Sequence, residues 1–141
     1  MKKISLFGST LLVLAPAILS FLVGPMIWEI SPYAPTPTSV QMTFFIILSA
    51  MESVAFGFGF LFLLEGKALL KNFKVSPTLT IWTYVAIAWS LMSWWVHDNL
   101  HKSNGGHDLT GLLYIEYGFH FTLVIAAGII ATYFVKSLKQ N

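Results

Sequence analysis

The chain has 141 residues, 56% of them hydrophobic and 10% charged, with a net charge of +2 and no cysteine. Soluble globular chains carry about 25% charged residues, so this composition lacks the polar surface needed in water and points to an integral membrane protein. The missing cysteine excludes disulfides, thiolate metal ligands and thiol nucleophiles, and the few scattered lysines exclude a nucleic-acid partner.

Four apolar segments follow one another, and the sequence predicts helices over residues 4–28, 40–64, 79–101 and 109–135. Each approaches or exceeds the roughly 20 residues needed to cross a bilayer core, where only a helix satisfies its own backbone hydrogen bonds. The first begins Met-Lys-Lys, as signal peptides do, but its apolar run is too long for one and reads as a retained span. Glu29 to Ser39 holds Pro32, Pro35 and Pro37 and reads as an extended, stiff loop. Between the second and third spans, Ala68-Leu69-Leu70 among lysines suggests a short amphipathic helix at the membrane surface. Lys102 to Asp108 reads as a tight turn, with Gly105 and Gly106 supplying positive φ angles.

The expected architecture is all-α: a single domain, residues 1–141, forming an up-down-up-down four-helix transmembrane bundle. Lys2, Lys3, Lys67, Lys71, Lys74, Lys136 and Lys139 fall on one side and Lys102 alone on the other. By the positive-inside rule both termini face the cytoplasm, and a multi-pass protein of the cell membrane is expected. Trp28, Trp94 and Trp95 then sit at the outer interface as an aromatic belt. The glycines of Gly57-Phe58-Gly59 lie mid-span, where they serve packing, not phosphate binding.

All four histidines, His97, His101, His107 and His120, lie toward the extracytoplasmic side. Glu52 and Glu116 interrupt apolar runs, where an ionisable group costs roughly 2.5–3.5 kcal/mol and normally faces the bundle interior. His97 and His101 are i and i+4 on one helix, and Glu116 and His120 are i and i+4 on the next. Across a hairpin, His97 and Glu116 fall at the same depth, roughly 10 Å below the turn. Ser90, Ser93 and Ala86 share the face of His97, Ala55 and Gly59 that of Glu52, and Ala127 and Ala131 that of His120. Small residues mark helix contacts, so all these groups are expected to point into the bundle. The reading stands or falls on whether His97 and Glu116 face each other.

The candidate metal ligands are therefore Glu52, His97, His101, Glu116 and His120, with Asp98, His107 and Asp108 at the rim or behind them and Asn99 as another supporting group. Imidazole and carboxylate donors suit copper, iron or zinc. A di-iron centre fits poorly, because its Glu-x-x-His pairs are spaced i, i+3 and come twice. Haem held by His97 and His120 ranks below a bare ion. The function expected is metal binding in a small accessory subunit of a membrane oxidoreductase, inside a larger complex or a homo-oligomer. The alternative is a proton- or solute-handling protein using the same residues.

Overall fold

The structure is a computed structural model that describes residues 5–70 and 75–138, except the side chains of 67–69. It holds four helices, α1 (Leu6–Ile27), α2 (Ser39–Leu70), α3 (Pro77–Asn104) and α4 (Leu109–Leu138), and no strand among the described residues. All four are long and apolar enough to cross a membrane, and α3 is the least apolar. Lys2, Lys3, Lys71, Lys74 and Lys139 lie outside the described residues.

Each helix start has a local cause. Ser5 caps α1 by accepting from the Gly8 amide, and Ser76 caps α3 by accepting from Leu79, with Pro77 in the first turn. Thr38 and Gln41 form a reciprocal pair at the start of α2. The Thr38 hydroxyl accepts from the Gln41 amide, while Gln41 Oε1 accepts from the Thr38 amide. Asp108 Oδ1 accepts from the Thr110 amide where α4 begins.

Two expected boundaries differ. Helix α2 runs unbroken through Leu70, so no separate surface helix starts at Ala68. Helix α3 continues through Lys102 to Asn104, so the turn to α4 is shorter than the sequence suggests. The break comes at Gly105 and Gly106, with φ of 58° and 72°, a conformation other residues rarely adopt. Before that point nothing in Lys102-Ser103-Asn104 opposes helix.

The extensive contacts join successive helices: α1 with α2, α2 with α3, and α3 with α4. Glycine permits the closest approaches. A Cβ on Gly57 would sit 2.2 Å from the Val13 carbonyl oxygen of α1, and one on Gly59 would meet Met92 of α3 at 2.3 Å. Large apolar side chains such as Leu6, Phe44 and Val124 stay exposed on the helix surfaces, as a lipid-facing exterior requires.

The loop after α1 docks on the turn after α3. The Ser31 amide donates to the Lys102 carbonyl, and the Tyr33 ring stacks on His107 with centroids 4.0 Å apart. At the far end, the buried Tyr133 hydroxyl of α4 donates to the Leu70 carbonyl of α2.

Candidate metal centre

The C-terminal half of α3 presents two pairs of polar residues, each spaced i, i+4 and offset by one position. That offset turns them about 100° apart around the helix, so the pairs face different neighbours. His97 and His101 face α4; Asp98 and Lys102 face α2.

On the α4 side, His97 Nε2 and His101 Nε2 are 3.0 Å apart. Glu116 Oε1 lies 2.7 Å from His101 Nε2 and 3.7 Å from His97 Nε2. These three atoms form the one group among the described residues close enough to hold a metal ion. Two ligands bound at about 2.0–2.1 Å in tetrahedral geometry sit roughly 3.3 Å apart, and the observed edges bracket that value. The side chains are between about a fifth and a third exposed, so the group lies in the α3–α4 seam near its surface.

The seam is braced on both sides. Phe119 packs edge-on against His97 with ring centroids 4.8 Å apart and stacks on Trp89, whose indole N–H donates to Thr122. His120 Nδ1 lies 3.0 Å from Glu116 Oε2 and 2.8 Å from the Glu116 carbonyl oxygen. It holds the carboxyl oxygen that the triangle does not use. A pocket of about 20 Å³ between Ser93, His97, Phe119 and His120 adjoins the group. The buried Ser93 hydroxyl has no hydrogen-bond partner among the described residues.

The structure therefore joins His97, His101 and Glu116 directly, with His120 behind Glu116. His120 is 69% exposed at its side chain, and Ala127 and Ala131 on its face are exposed too. The buried strip of α4 runs instead through Phe119, Ala126 and Tyr133, one helical position away and repeating every seven residues. His120 consequently sits at the edge of the seam and not inside the bundle.

Glu52 belongs to the other side. It is buried in α2 with its carboxyl facing that of Asp98. Asp98 is ion-paired with Lys102, whose ammonium also donates to Ser49 Oγ at 2.7 Å. Asn99 donates to the Trp95 carbonyl within its own helix, away from the triangle. His107 and Asp108 are in the turn, the first stacked on Tyr33 and the second capping α4. Lys102 is the residue that sequence reasoning missed, having counted it only as a surface charge. Its signal was the Asp98/Lys102 spacing, which repeats that of His97/His101 one residue later.

Searches against protein-family models, curated proteins and solved structures found no match to this chain.

Proposed function

We propose that this chain is a multi-pass protein of the cell membrane that binds one transition metal ion through His97, His101 and Glu116. The spans alternate up-down-up-down with both termini cytoplasmic, which the lysine distribution supports, and the metal centre lies toward the extracytoplasmic end.

The observation that carries this reading is the convergence of three lone-pair atoms on one point. Two short contacts meet at His101 Nε2. A single proton there can donate squarely to Glu116 or to His97, but not to both. Protonating His97 as well would set two donors against each other. A cation at the centre satisfies all three atoms at once. Two histidines spaced i, i+4 on one helix are a recurrent way to hold zinc. Two imidazoles and one carboxylate, with coordination positions left open, also suit non-haem Fe(II). Iron and zinc therefore rank ahead of copper. His120 would orient the Glu116 carboxylate, as groups behind metal ligands do. Haem fits less well, since His97 Nε2 already has His101 and Glu116 against it.

The role as a small accessory subunit of a membrane oxidoreductase, within a larger complex or homo-oligomer, belongs to the same proposal. Helix α4 packs extensively on α3 alone, and Tyr114, Tyr117 and Phe121 stand exposed near the metal group. Proton transport draws less support. No Asp, Glu, His or Lys lies between Glu52 and Glu65 in α2, ahead of His97 in α3, or between His120 and Lys136 in α4. A chain of titratable groups across the bundle is missing.

The test is metal analysis of protein purified without a histidine tag. About one iron or zinc per chain is expected, lost in His97→Ala and His101→Ala and kept in His107→Ala. Protein carrying no stoichiometric metal after growth and purification in each candidate metal would overturn the assignment.

A further inference from the structure

A second feature stands beside the face of α3 that carries Asp98 and Lys102. A cavity of about 560 Å³ opens between α1, α2 and α3 beneath the proline-rich loop, within the size range of small-molecule sites. Its walls are mostly apolar, with Phe21 from α1 and Met42, Phe45 and Ile46 from α2. One end is polar, where Asp98, Lys102 and Ser53 line it.

We propose that this cavity binds an uncharged amphiphile drawn from the bilayer, with an apolar body along Phe21, Phe45 and Ile46 and an oxygen-bearing head at the polar end. The argument rests on charge and on an unsatisfied donor. Lys102 is already neutralised by Asp98 and held by Ser49, and the Glu52 carboxyl lies behind Asp98. An anionic head would meet the Asp98 carboxylate, and a cationic head would meet the ammonium. A neutral hydroxyl or carbonyl meets neither penalty. Ser53 is 2% exposed and its hydroxyl has no hydrogen-bond partner among the described residues, so a buried donor and acceptor faces this end of the cavity. Leaving such a group unmatched is costly, and an oxygen-bearing head would satisfy it. The wall includes His101, so a bound head lies one imidazole away from the metal group. The cavity proposal does not depend on that group holding a metal.

The probe is decanol carrying a photoreactive diazirine, added to the full-length protein in phosphatidylcholine vesicles, with labelled residues mapped by mass spectrometry. The expected result is saturable labelling at Phe21, Phe45 and Ile46, reduced at least tenfold by excess decanol and little changed by decanoate. Met42→Trp, which fills the cavity from a partly exposed wall position, should remove the saturable component while metal content is unchanged. Labelling that rises linearly and resists competition is ordinary lipid contact and overturns the proposal. Equal competition by decanoate overturns the uncharged head, and saturable labelling that survives Met42→Trp overturns the location.

Discussion

The two faces of one turn of α3 make a controlled comparison. Both carry an i, i+4 pair at nearly the same depth, and both meet a carboxyl group from the neighbouring helix. On the α4 side, two imidazoles and Glu116 aim lone pairs at one point, an arrangement that attracts a cation. On the α2 side, an acid and a base already satisfy each other, and what remains beside them is room for something neutral. The spacing is the same, but the residue types decide whether the pair recruits a ligand or neutralises itself.

This comparison can be broken in graded ways. The largest effect is expected from His97→Ala or His101→Ala, which should abolish metal binding; His97→Ala, whose side chain is not part of the cavity wall, should leave decanol labelling intact. Loss of both together would mean the two faces are not independent. Next comes Lys102→Met, which leaves the Asp98 and Glu52 carboxyls without their ammonium. Removing one partner of a buried pair costs roughly 3–5 kcal/mol. Lys102 and Asp98 are 28% and 17% exposed, so a smaller loss of about 1–3 kcal/mol is expected in thermal unfolding. Its metal content should match that of the unmutated protein. Asp98→Asn in the Lys102→Met background should recover part of this loss, which the same unfolding measurement would check.

His120→Ala is a smaller and more specific perturbation. Removing the group that holds Glu116 Oε2 should weaken metal affinity by roughly 10–100-fold without abolishing it. Titration with a competing chelator distinguishes that from complete loss. The smallest effect belongs to the clasp between the first loop and the last turn. His107→Ala removes the stacking on Tyr33 and should cost about 0.5–1.5 kcal/mol in unfolding, with metal binding unaffected. A change in metal affinity in that variant would tie the turn to the site.

Much of the architecture was legible because length and apolarity leave a membrane helix few alternatives. The facing of His97 and Glu116 was also legible, since a short turn fixes the register of a hairpin and depth then follows from helix rise. The rotation of α4 was not. Ala127 and Ala131 on one face and Ala126 on the next offer the same small side chains to a neighbour, so composition could not decide between them. Phe119 decided it by packing between His97 and Trp89. Glu52 was assigned to the wrong neighbour for a related reason: depth says which residues share a layer, but not which side of α3 they meet. The C-terminal end of α2 was misread because its lysines suggested an interface, while nothing between Glu65 and Leu70 interrupts helical hydrogen bonding.

The link between the first loop and the last turn has a consequence for biosynthesis. Ser31 is bonded to the carbonyl of Lys102, and Tyr33 lies on His107, so residues from the second half of the chain help to fasten the loop between α1 and α2. A ribosome delivers α1 and α2 to the bilayer well before Lys102 exists. Until the third and fourth spans arrive, the roof over the cavity has nothing to close on. Closure over this cavity therefore waits for the end of α3 and the turn after it, and a chain truncated before Lys102 would leave it open to passing lipid.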